Sequence, residues 1–469
     1  MEYEVTKNLV RFMRFELTDP QFGEVDAARG IDGRLYSPHG LGASLAMVPF
    51  FLCGEGMARL FPLGQEMRIH HFCISLMNPL LTALTCLMLY LFVKRVRCGE
   101  RIALLSAGLY GLCTLAFPYS KVSFDVVLTA FLLVAATYAA FRFRQSARLE
   151  WTVLAGLLLG CAVLTRIATL IIVPLFALYL YFSLRDAQPP ASRFFFGLSS
   201  FIIPIAVTLL IIGWYNTVRF GAFFEDGHAT DSAVRLTTPV LVGFIGQLFS
   251  PGKGLFFYSP VLLFACVGLK RLYTDHRRET GLMVGIIMVN LLFHSKLVNW
   301  SGDWCWGPRF CVPLIPFLCI FLSGILGSGI LNRKTLVRNL WIALVTASFL
   351  VQVLGVTIDG TRRIGRRYLS GTITSGQIYW HPAQSPIVDH ARLLSRLSVN
   401  PVPTVSAGHR PGEDVTYDDR TADFWFVYLC SLGFPFILIL GSVGVLIILD
   451  ILCARVIVRS LRSEERAAC

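Results

Sequence analysis

Four short stretches set charge among apolar or glycine-rich neighbours: FPYSKVSFD with Lys121 and Asp125, VLTRIA with Arg166, SPGKG with Lys253, and NWSGDWCWGPRF with Asp303 and Arg309. A carboxylate such as Asp125 can bind a substrate hydroxyl or help to deprotonate it. Lys253, flanked by glycines and so by exposed backbone N–H groups, can cradle a phosphate. Arg309 follows Gly307 and Pro308, where a fixed guanidinium can grip a phosphate through two parallel hydrogen bonds. Together these residues offer a carboxylate beside several cations suited to a phosphorylated substrate.

Each residue also has a plainer reading. Asp125 can be a helix-end charge facing water, Arg166 can snorkel to lipid headgroups, and Lys253 can be a solvated turn. Trp300, Trp304 and Trp306 can form an interfacial aromatic belt. The surrounding elements bear on the choice, because ionisable side chains at membrane depth are costly and mark function by default.

The chain has 469 residues, of which 55% are hydrophobic and 15% charged, including 36 Phe. Its mean hydropathy is +0.63, too apolar for a soluble domain of this size. Apolar windows of roughly 17 to 25 residues, long enough to cross about 30 Å of hydrocarbon, recur along it. The expected fold is all-α and polytopic, with about eleven spans, at 72–93, 102–119, 122–142, 151–165, 167–183, 194–215, 254–270, 281–297, 309–327, 337–358 and 424–453.

The formal net charge of +13 is spread over short loops between apolar runs, which reads as a topology signal rather than as nucleic-acid binding. KRVRCGER, RFRQSAR, LRDAQPPASR, KRLYTDHRR, LNRKTLVR and the tail ARVIVRSLRSEER fall on one side when the spans alternate, so that side is assigned to the cytoplasm. Lys121, Asp125, Arg166, Lys253, Asp303 and Arg309 then converge on the outer face. LGASLAMVPFFLCGEGMARLF (41–61) is expected to lie in the outer interface rather than to cross. An odd number of spans starts the chain outside, and Met1 opens directly on EYEVTKNLV. A further helix upstream is therefore expected, bringing the count to about twelve. Residues 1–71 form the first outer loop, 72–358 the transmembrane core, 359–423 an outer cap, and 424–469 the last span with a basic tail. The 13 Cys sit mostly singly in apolar runs, as small buried hydrophobes.

DGRLYSPHGLGASLAMVPFF, PYSKVSFDVVLTAFLL, GCAVLTRIATLIIVPL, YNTVRFGAFFEDGH, SPGKGLFFYSPVLL and SGDWCWGPRFCVPLIPF occur in an order and spacing that resembles bacterial membrane glycosyltransferases of the GT-C superfamily. The resemblance covers roughly residues 1–330, and YWHPAQSP and Asp423-Phe-Trp extend it weakly. It implies a polyprenyl-phosphate-linked sugar as donor, a glycan, lipid or protein acceptor, and a location in the bacterial inner membrane with the site on the outer face. It also implies a catalytic carboxylate in the first outer loop and a second one matching Asp125. The first lies upstream of YEVTKNLV in relatives. Here Glu2 and Glu4 stand closest to it.

On this reading an acceptor hydroxyl attacks the anomeric carbon from the face opposite the departing phosphate, so configuration inverts. Asp125 aids the base or binds acceptor, and Arg309, Lys253 and Arg166 hold phosphate. Trp306 and Tyr36 stack on sugar or line the lipid entrance. The sequence specifies no cofactor and leaves room for a divalent cation, with no acidic pair at clear metal spacing. The competing readings are a lipid-glycan ligase or polymerase, which uses a diphosphate-linked glycan, and a transporter or flippase, which would carry ionisable groups at mid-membrane.

Overall fold

The computed structural model describes all residues except 20–26, 61–65, 97, 187–189, 229–233, 398–402, 405–415, 418–421, 428–435 and 469. Parts of the expected outer cap and part of the expected last span (428–435) therefore lie outside the described residues. The fold is all-α, as the hydropathy requires. Among the described residues the strands are two-residue pairs, including Ala28–Arg29 against Leu35–Tyr36.

Among the described residues, seven helices are long and apolar enough to cross a membrane: Leu41–Ala58, Glu66–Arg95, Asp125–Ser146, Ile167–Asp186, Ala191–Phe220, Arg309–Leu326 and Thr335–Thr357. Glu150–Thr165, Val240–Phe249 and Leu440–Cys453 are apolar but shorter. The expected spans at 102–119 and 254–270 are broken instead. The first is the helix Glu100–Cys113 followed by Ala116–Tyr119, and the second is Leu255–Tyr258, a 3-10 turn and Ala265–Asp275. Pro118 and Pro260 sit at these breaks, where a missing N–H and a fixed φ interrupt the ladder.

Close packing depends on small residues, as expected where lipid removes the hydrophobic drive between helices. Gly156 and Gly160 let Glu150–Thr165 meet Ala191–Phe220, since a Cβ on Gly156 would come 2.3 Å from the Phe201 carbonyl oxygen. Gly268 and Gly324 do the same between Ala265–Asp275 and Ile315–Leu326. Asp125–Ser146 lies at the centre, with 83% of its apolar window buried, and its two ends therefore face opposite ends of the bundle.

The basic loops gather at one of those ends. There Arg144 pairs with Glu279, Arg278 with Asp186, and the Cys98 thiol lies 3.8 Å from Ser323 Oγ. At the other end, Asn78 Nδ2 donates to the carbonyls of Val122 and Phe124 and fixes the hairpin that leads into Asp125.

Leu41–Ala58, expected to lie in the interface, counts among the seven by length and composition. Its first turn abuts Leu164 and Thr165 through Gly40 and Gly42. Its later residues run along Glu66–Ser75, where Phe51 stacks on His70 at 4.6 Å.

Candidate active site

Asp125 opens its helix with the N-terminal N–H groups behind it, and Arg166 is the residue that ends Glu150–Thr165. The helix N-terminus favours a carboxylate there. Arg166 Nη1 donates to Asp125 Oδ1 at 3.2 Å, and the two side chains remain 18% and 19% exposed. Arg166 also lies 5.2 Å from the centre of the Phe310 ring, and Arg309 lies 5.3 Å from the same ring and 5.1 Å from Phe124. Two guanidiniums thus lie over one aromatic ring, an arrangement whose mutual repulsion a bound anion would relieve. Arg309 donates to Asp303 at 3.0 Å, yet its buried Nε has no hydrogen-bond partner among the described residues.

The first loop brings a second carboxylate near. The backbone carbonyl of Glu2 accepts from Thr6 Oγ1 at 2.8 Å and from Ser44 Oγ at 3.2 Å, which seats Glu2 on the first turn of Leu41–Ala58 and hence beside Thr165. Asp125, Arg309 and Glu2 are accordingly the charged neighbours that act on Arg166. Glu4 does not join them. It is 2% exposed, pairs with Lys7 at 2.6 Å and accepts from Thr18 at 2.7 Å. Burial alone would raise the Glu4 carboxyl, but the Lys7 and Thr18 contacts hold it below the usual carboxylate range.

Lys253 is placed differently from the phosphate cradle expected of SPGKG. It is fully buried, and its ammonium donates to the carbonyls of Asp303 and Cys305 at 2.6 Å each and to that of Gly307 at 3.5 Å. Burial lowers its affinity for the proton. Its three N–H groups are thus occupied in holding the tryptophan-rich loop. Asp303 itself sits in the left-handed region at φ 64°, held by Asn299, and points its carboxylate at Arg309. Lys121 reaches away from the cluster to the Val356 carbonyl at 2.5 Å and to Asp423, tying the hairpin to Thr335–Thr357 and the end of the cap.

The tryptophans bind loop to cap. Trp306 is 5% exposed, stacks on His390 at 4.5 Å and meets Tyr258 edge-on. Trp300 packs on Tyr379, and Trp304 on Tyr368. Ser250 Oγ donates to the Tyr379 carbonyl at 2.7 Å and Ser385 Oγ to that of Pro251 at 2.8 Å, so the cap lies directly on the Lys253 turn. Tyr36 is 6% exposed and donates to Asp32 at 2.8 Å. Burial first, and then the Asp32 carboxylate, push its pKa up to about 12. It lines a cavity of about 570 Å³ walled by Leu9, Phe15, Leu45 and Trp214, separate from the Asp125 cluster.

Sequence reasoning passed over Phe310 and Phe124, the rings that carry the guanidiniums. Their only signal was adjacency to Arg309 and Asp125. It also passed over His294, stacked on Phe310 at 4.5 Å, and Arg219, which is 2% exposed and pinned between Tyr215, Phe220 and the Asn216 side chain. Among the described residues, no three His, Cys, Asp or Glu side chains converge as metal ligands.

No curated protein sequence matches the chain. Among solved structures, the oligosaccharyltransferase of Archaeoglobus fulgidus in its apo form is similar with a TM-score of 0.45 and 13% identity, over 77% of this chain and 51% of that one. ArnT from Cupriavidus metallidurans bound to undecaprenyl phosphate gives a TM-score of 0.43 and 15% identity, over 78% and 66%. The chain thus spans about half the length of the archaeal enzyme. Residues 63–213, the segment that carries Lys121, Asp125 and Arg166, match the family described as dolichyl-phosphate-mannose-protein mannosyltransferase, and over that segment the resemblance to GT-C membrane glycosyltransferases is borne out.

Proposed function

We propose that this chain is a multi-pass membrane glycosyltransferase that moves a sugar from a polyprenyl-phosphate donor to an acceptor hydroxyl, with inversion, on the outer face of a bacterial inner membrane. The observation that carries the reading is the pair of guanidiniums, Arg166 and Arg309, on the single ring of Phe310 beside Asp125. Departure of a phosphate monoester from the anomeric carbon builds negative charge on its bridging oxygen, and fixed cations in a site shielded from water lower that barrier most. The Nε of Arg309 offers the phosphate a donor that no group among the described residues occupies.

Asp125, held by Arg166, orients the acceptor hydroxyl or aids the base that takes its proton, and Glu2 is the second carboxylate in reach. The assigned orientation follows from the basic loops, which collect at the end opposite Asp125. That these ionisable groups stand at helix ends counts against a transporter, whose sites lie at mid-membrane.

The test is to incubate the purified chain with a panel of polyprenyl-phosphate sugars and to measure the polyprenyl phosphate released, with polyprenyl-diphosphate glycans as a parallel arm. Release of polyprenyl phosphate, with a product of inverted anomeric configuration, is expected. Turnover of the diphosphate donors alone would replace this reading with a ligase.

A further inference from the structure

The helix Arg277–Lys296 brings Asn290 and His294, one turn apart, against the Asp125 cluster. His294 lies on the Phe310 ring at 4.5 Å with the planes 26° apart, and the same ring carries Arg166. Its Nδ1 is 2.9 Å from the Asn290 carbonyl oxygen. A carbonyl can only accept, so Nδ1 holds the hydrogen and the neutral ring presents Nε2 as an acceptor. The side-chain oxygen of Asn290, a residue 7% exposed, has no hydrogen-bond partner among the described residues. A buried acceptor left unmet is costly.

Asn290 and His294 line a small cavity of about 10 Å³, whose walls also include Thr129, Thr169 and Arg166. Thr129 Oγ1 donates to the Asp125 carbonyl at 3.0 Å and the Thr169 N–H to the Arg166 carbonyl at 2.9 Å, so the cavity is continuous with both members of the ion pair. Among the described residues the Arg166 guanidinium makes one hydrogen bond, to Asp125, and a guanidinium has five N–H groups to place. A space of roughly 10 Å³ with two to four polar partners is what one buried water requires.

We propose that this cavity holds one ordered water, which donates to Asn290 Oδ1 and His294 Nε2 and accepts from the Arg166 guanidinium. Asn290 and His294 are then positioning residues, acting on the donor phosphate only through Arg166. The proposal rests on the phosphate-binding role given to Arg166 under Proposed function. Held by Asp125 on one side and by the water on the other, the guanidinium keeps a fixed plane, and less ordering is left to the moment of binding.

The test uses the full chain, purified and monodisperse in detergent. An experimental structure that resolves ordered solvent reports on the cavity, and equilibrium binding of polyprenyl phosphate reports on its effect. A water is expected within hydrogen-bonding distance of Asn290 Oδ1, His294 Nε2 and Arg166. His294→Phe keeps a ring on Phe310 but loses the acceptor, and Asn290→Leu keeps the bulk but loses the amide oxygen. Each is expected to weaken binding by about three- to tenfold, the worth of one hydrogen bond, with Tm held. His294→Gln, whose amide again offers an acceptor, should restore most of the loss. In an Arg166→Ala background neither substitution should weaken binding further, because both act through that guanidinium. A dry cavity would overturn the proposal. Wild-type affinity in both variants, or losses that persist in full in Arg166→Ala, would overturn the positioning role. Failure of polyprenyl phosphate to bind the unaltered chain would overturn the reading under Proposed function and the positioning role with it, and leave the water site standing.

Discussion

The helix Asp125–Ser146 carries an ion pair at each end, and the two pairs are built to different purposes. At the basic end, Arg144 meets a Glu279 that is 1% exposed, and the Tyr179 hydroxyl closes over the same carboxylate at 2.9 Å. One cation, one anion and a neutral donor balance there. At the other end, Asp125 and Arg166 stay half-buried, a second guanidinium shares the Phe310 ring, and the Arg309 Nε is unpartnered among the described residues. The sealed pair locks helices together. The open end is less sealed, because the Asp303 carboxylate that meets Arg309 is 55% exposed and Arg166 and Asp125 keep 18% and 19% exposure. Similar residues thus make a sealed joint in one place and, under the proposed function, a phosphate site in the other, and exposure separates them.

The comparison is most exposed to failure at Asp125. Asp125→Asn keeps the shape and removes the charge, so turnover is expected to fall by about 10²- to 10⁴-fold while donor binding survives. Release kinetics and donor binding on the same preparation check this, and normal turnover would break the contrast between the ends. At the sealed end, Arg144→Ala leaves Glu279 buried without its cation. A stability loss of about 3 kcal/mol is expected, discounted from a fully buried pair because Arg144 is 37% exposed. Turnover per folded molecule should not change, and denaturant unfolding in detergent beside the release assay reads both quantities.

Arg309→Lys sharpens the account of the open end. It keeps the charge but loses the planar fork, and donor affinity is expected to weaken by about tenfold with the fold intact. The smallest effect belongs to the cap. His390, stacked on Trp306, is held neutral, its pKa lowered to about 4, chiefly by burial. Its folded pKa lies below the unfolded value, so the unfolded chain takes up the proton first as pH falls, and stability declines through the window from about 6.5 to about 4. The expected loss is about 1 kcal/mol near pH 5.5, absent in His390→Phe, as thermal unfolding at several pH values would register.

The sequence made much of this legible. Hydropathy located the helices, the arginine-rich loops assigned one end, and Asp125, Arg166 and Arg309 stood out because a charge beside an apolar run needs a reason. Three features did not show. SPGKG looks locally like a phosphate loop, and only a fold that brings Asp303, Cys305 and Gly307 to Lys253 reveals that its protons are spent on carbonyls. Glu2 and Glu4 are indistinguishable in a string, whereas helical rotation turns one toward Lys7 and Thr18 and seats the other near Arg166. Pro118 and Pro260 sit inside apolar runs that read as continuous, and the breaks there depend on how the neighbouring helices accept the bend.

Equilibrium binding of polyprenyl phosphate to the purified chain, compared between Arg309→Ala and Arg144→Ala on protein of equal monodispersity, tests the central claim most directly. The account expects affinity to fall by at least about tenfold in Arg309→Ala and to stay unchanged in Arg144→Ala. Wild-type affinity in Arg309→Ala, or an equal loss in both variants, would contradict it.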